Sequence, residues 1–96
     1  EDIRPLGAMQ DWAKNAPVIL IFVADMAKMG DGPVENKLKT ANIDVGYISQ
    51  NVYLYCASEG LATGARGSVE REKLILQLNL REDQSIILAM SVGYPK

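Results

Sequence analysis

The sequence predicts a small α+β or α/β domain organised around one long helix. Residues 35–60 contain no proline and one internal glycine, Gly46. Within them Leu38, Ala41, Val45, Ile48, Val52 and Tyr55 recur in alternating steps of three and four, which stacks them on one face of an α-helix. Two runs, 18–24 and 86–92, are apolar on both alternating sets, the pattern of strands covered on both faces.

The elements follow in order. Residues 1–7 carry Pro5 and Gly7 and read as an extended lead-in. Residues 8–14 can form a short helix with Met9 and Trp12 as packing residues, stopped by Asn15 and Pro17. The run 18–24 is expected to be a central strand. Residues 25–34 form a loop with Gly30, Gly32 and Pro33 as turn residues. Its Met26 and Met29 fold back on the core in preference to lining a pocket.

The long helix comes next, with Asp31 and Glu35 near its N-terminus, where the helix dipole favours negative charge. Its second apolar set, Ile43, Tyr47, Leu54 and Ala57, lies off the main stripe and needs cover of its own. Gly60 and Leu61 mark a helix stop. Residues 61–65 can be a short strand of small residues. Gly64 and Gly67 bracket Ala65 and Arg66, and small side chains here let the backbone approach another group closely. Ser68 is the expected N-cap of a helix over 69–78, with Leu74, Ile75 and Leu78 as its apolar stripe. After a polar turn at 79–83, the strand 86–92 runs into Gly93-Tyr94-Pro95-Lys96.

Composition narrows the functional classes. The 96 residues are read as a single domain, 48% hydrophobic, with a net charge of -2. That balance excludes a disordered chain and a basic nucleic-acid surface. The absence of histidine excludes a Ser-His-Asp triad and any His-containing metal site within these residues. The single Cys56 has no intrachain partner and reads as a small apolar filler in the helix, consistent with a reducing, cytoplasmic setting. No apolar run is long enough to span a bilayer, and no signal-peptide pattern is visible. The chain opens on Glu1 and not on methionine, so it is expected to be a trimmed or partial chain.

Four short patterns, in order, give the chain a family likeness. Ala16-Pro17 precedes an apolar strand ending in Ala24-Asp25. Asp44-Val45-Gly46 leads to Gln50-Asn51 in the long helix. Ser58-Glu59-Gly60-Leu61-Ala62-Thr63 follows that helix, and Val92-Gly93-Tyr94-Pro95 follows the last strand. Together they resemble the C-terminal half of the nitroreductase family of flavin-dependent oxidoreductases.

The resemblance implies an α+β fold fragment, with a mixed or antiparallel sheet flanked by helices and a long central dimerisation helix. It also implies bound FMN, reduced by NADH or NADPH, with electrons passed to a nitroaromatic, quinone or similar acceptor. A homodimer through helix 35–60 would cover the second apolar face. Carried over residue by residue, Gly64, Ala65, Arg66 and Gly67 would lie against the flavin ring, with a backbone N–H of Arg66 or Gly67 directed at its N5 region. Lys96 would stand near the FMN phosphate. No catalytic side chain and no metal ligand is implied.

The N-terminal half, which in the family grips the phosphate, has no counterpart in these residues. Two other readings therefore stay open: a non-catalytic dimerisation or structural module, and a small ligand-binding domain of the same fold. Arg66 is equally readable as a solvated surface arginine, Gln50 and Asn51 as polar residues satisfied by packing, and Asp44 as a cap or ion-pair partner.

Overall fold

A computed structural model describes residues 16–95. The expected helix at 8–14, with Met9 and Trp12, lies outside the described residues, as does Lys96. Strand β1 (Val18–Asp25) runs into a single 3-10 turn, Met26–Lys28, and then the long helix α1 (Val34–Ser58). Strand β2 (Ala62–Arg66), helix α2 (Arg71–Leu78) and strand β3 (Gln84–Gly93) complete the order. The three strands form one sheet in the order β1-β3-β2, both flanking strands antiparallel to β3. The fold is therefore α+β, with helices on both faces of an antiparallel sheet.

The centre of the sheet belongs to β3. Among the described residues β1 is an edge strand, contrary to its expected central place, and Val18 and Val23 remain exposed. The apolar content of β1 is used on its faces and not across its outer edge. It pairs with β3 from Val18↔Val92 to Asp25↔Gln84, and one irregularity falls where Phe22 meets Leu88 and Val23 meets Ile86. That skip leaves Ile87 unmatched and turns it toward the α1 side, a β-bulge in β3.

Alternation along the strands divides the core into two clusters. On one face Leu74 and Val69 pack on Ile86 and Ala89, with Ile19 and Ile21 beside them. On the other face Ala41 of α1 packs with Ala24 and Met26, with Leu38, Met29 and Ile87 around them. Met26 does fold back on the core.

Helix α1 lies low on the sheet because its inward positions are small. Ala41, Val45, Ser49 and Cys56 are buried, whereas Ile48 and Tyr55 of the expected stripe are exposed. After Val45 the contact line advances by four to Ser49 where three was expected. Ser49 is tolerated there because its hydroxyl donates to the Val45 carbonyl at 2.7 Å. Half a turn away, Ile43, Tyr47 and Leu54 face outward, Tyr47 73% exposed and Leu54 59%. Between the second half of α1 and the sheet lies an apolar groove of about 380 Å³, bordered by Val18, Leu20, Val92, Ile48, Val52 and Cys56.

The helix ends are defined by hydrogen bonds. Gly60 adopts φ +70, so Leu61 N–H reaches the Cys56 carbonyl at 2.8 Å and Gly60 N–H the Ala57 carbonyl at 3.5 Å. This is a Schellman closure, as the sequence predicted. Asn79, at φ 55, closes α2 in the same way, with Leu80 N–H on the Ile75 carbonyl. The start of α2 differs from expectation. Glu70 stands at the N-cap position without a side-chain cap bond, and Ser68 caps nothing. Val69 is drawn into the core, which keeps the chain extended for two residues longer.

Beside the 3-10 turn, Asp25 accepts from Arg81 Nη2 at 2.7 Å and from Ala27 N–H at 3.1 Å. Burial pushes the Asp25 carboxyl up, but the hydrogen bond and charge of Arg81, with Ala27 and Gln84, outweigh it and hold the group below its ordinary value. At the other end of β1, the ring of Pro17 closes on Gly93. A Cβ at Gly93 would lie 2.9 Å from Pro17 Cδ.

Two outcomes are expected. Gly93→Ala should lower stability by about 1–3 kcal/mol through overpacking, and Pro17→Ala in the same chain should recover most of it; thermal unfolding of the three variants checks this. The contribution of Asp25 is present above its unfolded pKa and is lost as pH falls below about 4, because its folded pKa is depressed. Arg81→Met should therefore flatten the acid limb of a stability-against-pH curve and leave the limb above pH 6 unchanged in slope.

Candidate functional site

The small-residue segment at the end of β2 sits at the outer edge of the sheet. Ala62, Thr63, Gly64, Ala65 and Arg66 pair in register with Gly93, Val92, Ser91, Met90 and Ala89. Ala65 and Gly67 are exposed, and a Cβ built on Gly67 meets nothing within 4 Å. The space where a side chain would stand at Gly67 is therefore open to another group.

Arg66 departs from the solvated reading. It is only 8% exposed, and its Nη2 donates to Ser91 Oγ at 2.5 Å while Nη1 donates to the Gly64 carbonyl at 3.3 Å. Burial pushes the guanidinium pKa down, and the nearby Tyr53 acts in the opposite direction. It stays a cation at neutral pH, since arginine does not deprotonate in proteins. A guanidinium with no hydrogen bonds would cost several kcal/mol to bury, so these bonds are what permit its place under the strand. Ser91 also ties the strands together, its carbonyl accepting from Thr63 Oγ1 at 2.7 Å.

Two residues hold the same segment that the sequence did not tie to it: Arg71, and Tyr53, which with Tyr47 and Tyr55 reads in the sequence as a core and interface residue. Tyr53, on the flank of α1 facing β2, accepts the Ala65 N–H through its hydroxyl at 2.8 Å. Arg71, in the first turn of α2, donates from Nη1 to the Gly67 carbonyl at 2.9 Å, and from Nε and Nη2 to the Ile86 and Ile87 carbonyls at 3.3 and 3.2 Å. The Ala65 N–H is thus already used. No local signal marks Tyr53, because its partner lies twelve residues away across a helix end.

The other sequence-derived candidates fall elsewhere. Asp44, Gln50 and Asn51 are exposed on α1. Cys56 is buried, as the filler reading requires. Among the described residues no group of carboxylates and cysteine could hold a metal ion. The groove beside Cys56 is lined mainly by apolar side chains, with Asn51 and Tyr55 the residues that bring an amide and a hydroxyl, too little to orient a polar ligand.

A family model for the nitroreductase family matches residues 5–94. The chain belongs to the nitroreductase family. The structure of a "putative nitroreductase" from Ralstonia eutropha JMP134 is similar at a TM-score of 0.81 and 34% identity, over 91% of this chain and 41% of that one. NfrA2 of B. megaterium matches at TM-score 0.83 and 23% identity, over 98% of this chain and 44% of that one. A nitroreductase family protein from Clostridium novyi NT matches at 0.74 and 20%, over 99% and 54%. The last two likenesses concern the fold alone. This chain thus spans about half the length of these neighbours, or less. No curated protein matches it.

Within this nitroreductase chain, Ser91 is the hydroxyl that accepts from the buried Arg66. Ser91→Ala should cost about 1.5–3 kcal/mol, the usual range for removing one hydrogen bond to a charged group. Urea denaturation of the variant measures it.

Proposed function

We propose that this nitroreductase-family chain is part of an FMN-dependent oxidoreductase, with Gly64, Ala65, Arg66 and Gly67 forming the surface that meets the flavin ring. The observation carrying the proposal is the open backbone at Gly67, in a segment whose neighbouring peptide groups are held by Tyr53, Arg66 and Arg71. Such a surface fits a flat ring that must come close to main-chain N–H groups. It provides no grip on a phosphate among the described residues, and Lys96 is proposed as one contributor to that task.

Bound FMN would supply two-electron chemistry, taking hydride from NADH or NADPH and yielding electrons to a nitroaromatic, quinone or similar acceptor. The chain's own part is to bind and orient the ring. Of the two expected backbone donors, Arg66 is paired with Ala89 in the sheet, so the N–H of Gly67 suits the N5 position; an amide donor does not titrate in the working pH range. The buried Arg66 side chain keeps its charge behind the strand.

The enzyme is proposed to work in the cytoplasm as a homodimer through α1. Support comes from the outward Ile43, Tyr47 and Leu54, which form one apolar stripe opposite the buried line. No helix among the described residues is long and apolar enough to cross a membrane.

Purified protein should carry, or take up, a yellow flavin band that NADH or NADPH bleaches. A colourless protein that ignores added FMN overturns the proposal in favour of a non-catalytic module. Gly67→Val should lower FMN affinity at least tenfold while costing about 0.5 kcal/mol or less of stability, a shift in thermal midpoint of no more than about 4 °C, since the added side chain meets open space within the chain. Unchanged affinity would remove Gly67 from the ring surface.

A further inference from the structure

The geometry points to Tyr53 as a positioning residue that sets the direction of the main-chain donor in the proposed flavin-facing segment. It rests on the functional reading above, but its first observation is independent of any ligand. The Tyr53 hydroxyl accepts the Ala65 N–H at 2.8 Å, which fixes the peptide unit joining Gly64 to Ala65. Arg71 Nη1 donates to the Gly67 carbonyl at 2.9 Å, which fixes the peptide unit joining Gly67 to Ser68. Only two peptide units lie between these clamps; Arg66 pairs with Ala89 in the sheet, which leaves the Gly67 N–H as the outward main-chain donor. That is the donor the functional reading needs.

The clamps come from opposite sides of the sheet. Tyr53 reaches from α1, which packs with Ala24 and Ile87. Arg71 reaches from the start of α2, whose Leu74 packs with Ile86 and Ala89. The Arg66 side chain adds a third hold through Ser91 and Gly64. An edge strand next to a glycine would otherwise be free to tilt its peptide planes. With both ends held, the Gly67 donor is oriented before a ligand arrives, so a ring binding it loses less conformational freedom.

Tyr53 is the informative member because one oxygen does the work. Tyr53→Phe keeps the ring, its packing and the helix. The expected result is faster hydrogen exchange at the Ala65 amide in the ligand-free chain. FMN affinity, followed by quenching of flavin fluorescence, should weaken about 3- to 10-fold, the effect of losing one net hydrogen bond. The visible spectrum of the bound flavin should also shift, because its main-chain donor is less fixed; a purely structural role would leave that spectrum alone. Tyr55→Phe, on the exposed flank of α1, should change none of the three. Unchanged exchange at Ala65 in Tyr53→Phe would overturn the clamp itself. Faster exchange with unaltered FMN affinity and spectrum would overturn the positioning role while leaving the functional reading intact. A wild-type chain that takes up no FMN overturns the functional reading and this role with it.

Discussion

Strand β3 has two neighbours and two covered faces, and the placement of every other element follows from one of those four sides. Its edges take β1 and β2, both antiparallel. Its faces take Ile86 and Ala89 toward α2, and Ile87 toward α1. A strand in this position cannot carry unpaired backbone groups or polar side chains without partners. The one hydroxyl it buries, on Ser91, accepts from Arg66.

The same constraint places the candidate site. A short edge strand of small residues would be weakly specified by its own packing. Here it is held from below by Arg66, from one flank by Tyr53 and at its exit by Arg71. Apart from Arg66, whose side chain is buried, the residues that could touch a ligand contribute little side-chain bulk, and Tyr53 and Arg71 fix them from outside the segment. That division lets the backbone be both accessible and ordered.

Much of this was legible in the sequence. The two β-branched runs, the long helix and its glycine stop come from local periodicity and turn chemistry, which do not depend on distant contacts. The family patterns held for the same reason. What was not legible depends on long-range partners. The inward line of α1 moved to Ser49 and Cys56 because the helix approaches the sheet closely, a fact set by small residues on both sides. Arg66 was equally readable as a ligand contact and as a surface arginine, and its burial was hidden because Ser91 lies 25 positions further on. Ser68 had the right chemistry for a cap, yet Val69 found more stabilisation in the core than the helix gained by starting earlier. Gly93 belongs to a recognisable terminal pattern, but its reason is the ring of Pro17 at the far end of the described chain.

The pairing of Val18 with Val92 has a kinetic side. The ladder that joins β1 to β3 closes a loop containing α1, β2 and α2, so its contacts are among the most distant in sequence that the described chain makes. Such closure is entropically slow, and no strand pair in this sheet forms without β3. During synthesis α1 is therefore complete, with its outward Ile43, Tyr47 and Leu54 and its inward small residues, before the strand that anchors the sheet exists. The nascent helix lacks the β3 part of its cover at that stage. The interval between making α1 and making β3 therefore leaves apolar positions of α1 without the strand they pack beside in the finished fold, and the order of synthesis sets how long they stay so.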